Sequence, residues 1–191
     1  MNIYDPYPDH VELDGKMYRL NLSYDRVLMA IDAQEDHTLN AADRISVQVR
    51  LLLDRERDCP VDTRAQARLL AAIFDLLPHG DGEEKNAEKY IDFHQDAALI
   101  RSAFFRIGVD LTRDHIHFCQ FMELLADLPE DTALMRTVDI RRRPIPKPTK
   151  YNADQIAELQ KAKARVAIKM SEEERRQRFA DSLRNSTVLR G

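Results

Sequence analysis

From residue 23 to residue 138 the apolar residues recur every three or four positions. That spacing lines them along one stripe of an α-helix and does not match the alternation of a half-buried strand. Ser23 can cap a helix carrying Val27, Leu28 and Ile31. Asn40 can cap a second, with Ile45, Val49, Leu52 and Leu53. Asp62 or Thr63 opens a third, with Leu69, Leu70, Ile73, Phe74 and Leu77, stopped by Pro78-His79-Gly80. These side chains take up the free N–H groups of a first turn. A long helix is expected from about Asn86 to Ile107, on the stripe Tyr90, Phe93, Ala97, Ile100, Phe104 and Ile107, with Gly108 just past its end. Thr112 is the expected cap of the next, which carries Phe118, Phe121, Met122, Leu125 and Leu128 and ends at Pro129. Asp131 or Thr132 starts another through Leu134, Met135 and Val138.

The pattern differs at the two ends. Near the N-terminus, Val11 to Leu20 alternates around Asp14-Gly15, a pair suited to the positive φ angles of a type I′ turn. This predicts a short β-hairpin, which must pack on helices to be stable. Only five glycines occur in 191 residues, which argues against sandwiches, barrels and phosphate-binding loops. The fold class expected is mainly α, with about two-thirds or more helix. It is a compact helical domain with one short N-terminal β-hairpin and a basic helical C-terminal arm.

After residue 140 the character changes. Arg141-Arg142-Arg143-Pro144-Ile145-Pro146-Lys147-Pro148 is basic and proline-rich, so it reads as an extended connector over 141–151. Asn152 can cap a helix whose large apolar positions are Ile156, Leu159, Val166 and Met170, a narrow stripe interrupted by Lys163. Ser171 to Glu174 resembles a capping box for a final helix. The division expected is a core over 1–140, the connector, and a charged arm over 152–191. Charge follows it: residues 1–135 hold 14 Lys and Arg against 26 Asp and Glu, a net −12, and residues 136–191 hold 15 against 7, a net +8. Such a reversal suggests an acidic body with a basic extension.

Signals for chemistry are weak. No apolar run approaches the ~20 residues of a membrane span, and Met1 to Tyr7 is polar and proline-punctuated, unlike a signal peptide. Cys59 and Cys119 lack framework spacing and read as reduced cytosolic thiols. His115 and Cys119 are four apart, as paired metal ligands often are, but no second Cys/His pair matches them. There is no Gly-x-Ser-x-Gly elbow and no Walker or dinucleotide fingerprint. The reading assigns no enzyme activity, no catalytic residue, no cofactor and no metal. Arg141, Arg142, Arg143 and Lys147 could meet phosphates, but no nucleic-acid motif accompanies them, so an acid-partnered run is preferred.

Several segments together resemble one family, the bacteriophage family named for gene product fifteen. They are Asp14 to Asn21, Phe104 to Leu111, Ile116 to Phe121, Leu128 to Thr132, and Ile140 to Pro146 with the lysine-rich helix after it. The family usually has tryptophan where this chain has Phe118 and Cys119. The resemblance implies a protein encoded in the tail region near the tape-measure gene, with no known catalytic residues. It implies a tail-assembly role in the cytoplasm of the bacterial host, as a chaperone of the tape-measure protein. The alternatives are a structural tail or neck component and, behind it, a nucleic-acid-binding protein. The partners expected are phage tail proteins or another copy of the chain. The contact is expected at Arg141, Arg142, Arg143, Lys147, Ile156, Leu159, Val166 and Met170.

Overall fold

In the computed structural model, which describes residues 4–78 and 90–169, the chain enters through the expected hairpin. β1 (His10–Leu13) and β2 (Lys16–Arg19) pair antiparallel, Val11 opposite Tyr18 and Leu13 opposite Lys16. Asp14 and Gly15 turn the chain at φ +53° and +74°. Two successive positive angles give the type I′ geometry, whose twist matches the flanking strands. Tyr18 is buried while Met17 on the opposite side is exposed, as the pleat requires.

Among the described residues seven α-helices follow: α1 (Tyr24–Glu35), α2 (Ala41–Leu52), α3 (Thr63–Phe74), α4 (Ala97–Arg106), α5 (Phe118–Ala126), α6 (Ala133–Arg142) and α7 (Ala153–Val166). A 3₁₀ turn at Glu56–Asp58 joins α2 to α3. Three expected caps form: Asn40 accepts from the Asp43 N–H, Asp62 from Ala65 and Thr132 from Met135. Ser23 stands at the start of α1 in extended geometry without a side-chain cap bond. The turn His79 to Gly82, Met170 and the final helix from Ser171 lie outside the described residues.

Two expected helix starts are displaced. The helix predicted from Asn86 begins at Ala97. Before it, the Asp92 carboxylate accepts from the N–H groups of His94 and Gln95, and Asp96 accepts from the Asp92 N–H. Such local side-chain bonds offer the backbone an alternative to helix, so Tyr90 and Phe93 precede the helix. Likewise Thr112 does not cap α5. Its N–H and hydroxyl bind Asp110 in a turn, and His117 caps instead, its ring accepting from the Cys119 N–H. These irregular stretches bring helix to 53% of the described residues, below the two-thirds expected. Gly108 fits its predicted place. At φ +88° it closes α4, with its own N–H on Phe105 O and the Val109 N–H on Phe104 O, the pair of bonds that defines a Schellman end.

Packing divides the described residues into two compact units. The first holds 4–78 and 104–128, and the second holds 90–103 and 129–169. In the first, α1 packs on α2 and α2 on α3. The chain past β2 runs between the end of α2 and the start of α5 as a backbone spine. Leu20 bridges Leu53 and Ser23 bridges His117, while Asn21 donates to Leu52 O at 2.8 Å and Phe118 to Leu22 O at 2.7 Å. Phe121 is the aromatic centre, stacked with Phe104 at 4.9 Å and Tyr24 at 5.0 Å. Val27, Val49, Leu52, Leu69 and Ile73 are fully buried around this frame. The second unit buries Ile100, Leu134 and Val138, and α7 packs on α6.

Truncating Phe121 removes from a closed site a ring that stacks with Tyr24, Phe104 and Phe118. Phe121→Ala is expected to destabilise the protein by about 3–5 kcal/mol. Urea unfolding checks this, and a cost under about 1 kcal/mol would show that the ring is not central.

Candidate functional site

The region assigned to partner binding, from Arg141 through α7, lies in the second unit, and its organising contact is internal. Arg141 is on the last turn of α6, not in an extended connector. Its guanidinium forms a two-armed pair with Asp96, Nη1 to Oδ2 at 2.6 Å and Nη2 to Oδ1 at 2.9 Å, with side-chain exposures of 7% and 3%. Nη1 also donates to Tyr90 O at 2.8 Å and Nε to Val166 O at 2.6 Å. The Arg141 carbonyl accepts from Lys163 Nζ at 2.6 Å. One side chain therefore ties the segment before α4, the end of α6 and the end of α7. Gln95 adds two bonds, its Nε2 to Ala167 O and its Oε1 from the Lys169 N–H.

Burial pushes the Asp96 carboxyl up. The hydrogen bonds from Arg141 and the Asp92 N–H, with the guanidinium charge, outweigh it and hold the group below the usual carboxylate range. Asp96 thus stays ionised while buried, because its partner is fixed in place.

The sequence-assigned contact residues separate in this setting. Arg141 is buried and faces its own unit. Arg142 sits over the Tyr90 ring at 5.7 Å, and Arg143 pairs with Asp139 one turn back on α6. The acid partners of the arginine run are thus residues of the same unit. Lys147 is exposed, and its carbonyl accepts from Asn152 Nδ2. Asn152 also accepts from the Thr149 N–H, so it braces the proline segment instead of capping α7. Ile156, Leu159, Lys163 and Val166 are half-buried along one stripe, and no residue of α7 is fully buried. The prolines interrupt the helical path after α6. They turn the chain so that α7 returns along α6, where Arg141 and Lys163 fasten it.

The residues weighed for chemistry are in the first unit, and each has a structural role. His115 precedes α5 instead of sharing a helix face with Cys119, and its Nδ1 meets Asp25 at 3.1 Å. His117 stacks on Tyr7 at 4.9 Å, with Nε2 against Pro8 O and Nδ1 on the Cys119 N–H. Burial pushes its imidazole below the usual value, keeping Nδ1 free to accept. The Tyr7 hydroxyl donates to Glu123 at 2.6 Å and is pushed up to about 12 by that bond. Cys119 is buried, and burial with the Glu123 charge pushes its thiol up, away from the reactive thiolate. Among the described residues no three His, Cys, Asp or Glu side chains come together as a metal set, and no helix is long and apolar enough to cross a membrane.

A second surface has no counterpart in the sequence reading. An open cleft of about 450 Å³ lies in the first unit, between α1, α2 and α3. Ile45, Leu70, Ala67 and Phe74 are half-buried in its wall, and Ile31 and Ala71 are exposed there. The helical periods placed Ile31, Ile45, Leu70 and Phe74 on inward stripes. Only the packing of three helices shows that the stripes leave part of their width uncovered.

The comparison with known families places this mainly helical chain among phage proteins. The family model described as "Bacteriophage Gp15 protein" matches residues 3–168, so the chain belongs to that family. No curated protein and no solved structure matches it.

Removing one partner of the buried pair strands the other. Asp96→Asn is expected to cost about 3–5 kcal/mol, and Asp96→Leu combined with Arg141→Met to recover a large part of it. Because the folded carboxyl titrates lower than the unfolded one, the pair's contribution is full above about pH 4 and is lost as pH falls through the folded value. Urea melts from pH 7 to pH 3 check this. An acid slope unchanged in Asp96→Asn would show that the pair does not set it.

Proposed function

We propose that this phage protein acts in tail assembly, as a chaperone that binds the tape-measure protein, and that it is a binding protein and not an enzyme. The observation that carries this reading is α7. It is a helix with no fully buried residue, whose apolar stripe is half-covered and whose other faces carry Lys161 and Arg165 in the open. Such a helix adds little core to its own unit. It offers a partner apolar area together with cations that steer approach and set register. Family membership supplies the phage setting, and a long helical partner with exposed apolar stripes is what a surface of this kind would cover.

On this reading the contact residues are Ile156, Leu159 and Val166, with Arg142, Arg143 and Lys147 beside them and Met170 beyond. Arg141 serves the same surface from beneath, by holding α7 in place. A chaperone leaves when the tail is complete, whereas a structural component remains.

The experiment is co-expression with the tape-measure protein of the same phage, followed by affinity capture. The intact protein is expected to retain the tape-measure protein and to be absent from purified virions. Lys161→Glu with Arg165→Glu changes only exposed positions and should weaken capture by about tenfold while leaving the fold intact. Added salt should weaken it too, since exposed charges are screened over about 8–10 Å. No capture by the intact protein overturns the reading. A fixed copy number in mature virions would make the protein a structural component instead.

A further inference from the structure

The cleft between α1, α2 and α3 is separate from α7 and carries its own chemical signature. Its walls are apolar, and the one charged side chain among its described lining residues is that of Glu35. Gln34, Glu35 and Gln48 line it, and among the described residues no Lys, Arg or His does. Arg44, on α2, donates Nη1 to Gln34 O at 3.1 Å, and its Nε is buried without a hydrogen-bond partner. Gln48 is buried to 1% exposure, and its Nε2 donates to Ala30 O at 2.9 Å. That bond fixes which end of the amide is nitrogen. Its Oε1 is left buried without a hydrogen-bond partner. A buried acceptor left unmade costs about 1–3 kcal/mol, so a turn of the Gln48 side chain toward a donor in the cleft has something to gain. The surrounding unit agrees in sign: its described residues carry 11 Lys and Arg against 18 Asp and Glu, a net −7.

From these features we infer that the cleft is a docking site for an amphipathic helix of a partner protein, one that presents an apolar row flanked by Lys or Arg. The apolar row fills the space among Ile31, Ile45, Leu70 and Phe74. A basic side chain on one flank meets the Glu35 carboxylate, and a donor from the same helix reaches toward Gln48. Three helices with a gap between their inward stripes form a groove of the kind that accepts a fourth. Charge complementarity selects the occupant, because an acidic helix would set like charge against Glu35 and leave the Gln48 oxygen unmet. This rests on the functional reading above, and names a partner surface for it in the first unit.

The test uses the full chain and two variants at exposed cleft positions, Glu35→Lys, which reverses the charge, and Ala71→Arg, which fills the space. Circular dichroism checks that both fold. The probes are a Leu/Lys amphipathic helical peptide of about 18 residues, roughly five turns, its Leu/Glu counterpart, and overlapping peptides from the tape-measure protein of the same phage. Fluorescence anisotropy reads affinity, and amide exchange reads the footprint. The Leu/Lys peptide should bind, protect α1, α2 and α3, and bind each variant about tenfold or more weakly, while the Leu/Glu peptide should not bind. Equal binding by intact protein and both variants, or protection outside these helices, overturns the site. Equal affinity for the two model peptides overturns the charge assignment. Binding of the Leu/Lys peptide at the cleft with no tape-measure segment bound keeps the docking site and removes the functional reading. Capture of the tape-measure protein unchanged by both variants does the reverse.

Discussion

The Arg141–Asp96 pair is the contact on which the second unit depends. Neither ion would be stable in that setting alone, since an unpaired buried charge costs several kcal/mol. Together they form a fork that also collects the Tyr90 and Val166 carbonyls. Those two carbonyls belong to segments 76 residues apart in sequence, so the pair does for the second unit what a hydrophobic core does for the first. The apolar content of the second unit is small. Ile100, Leu134 and Val138 are its large buried residues besides the node. Polar geometry therefore carries more of the specification there, and a rigid guanidinium suits it better than a flexible ammonium would.

The first unit is organised differently. Aromatic stacking around Phe121 fixes its centre, and the spine of residues 20–24 satisfies backbone groups between the end of α2 and the start of α5. Because that spine is extended, it holds the two helix termini at strand spacing without adding a third strand. His117 serves both purposes, since its backbone pairs with Ser23 while its ring caps α5 and carries Tyr7. The units differ in charge as well. The described part of the second holds 11 Lys and Arg against 7 Asp and Glu, a net +4, opposite in sign to the first. The protein thus offers two chemically distinct surfaces, an acidic apolar cleft and a basic half-covered helix.

Parts of this were legible in the residues, and the reasons are local. The Asp14-Gly15 turn, the caps at Asn40, Asp62 and Thr132 and the Gly108 terminus each depend on a few neighbouring atoms, so residue type reveals them. The start of α4 was misplaced because Asp92 and Asp96 can bond the backbone in two ways, and periodicity does not register that competition. The candidate site was legible only in outline. The basic run and the thin stripe of α7 are plain in the sequence, but Arg141 has the same side chain as Arg142 and Arg143. Its burial follows from its angular place on α6 relative to Asp96, 45 residues earlier.

The sequence by itself determined the helical class, the hairpin, the caps at Asn40, Asp62 and Thr132 and the reversal of charge along the chain, because each of these is set by spacing and by short-range backbone chemistry. Tertiary structure alone decided which arginine is buried, that the proline segment returns α7 to α6, and that α1, α2 and α3 leave an apolar cleft open beside Gln48. These depend on contacts between residues far apart in the chain. A linear pattern records which face of each helix is apolar, but not how wide a partner covers it or which buried charge finds its opposite.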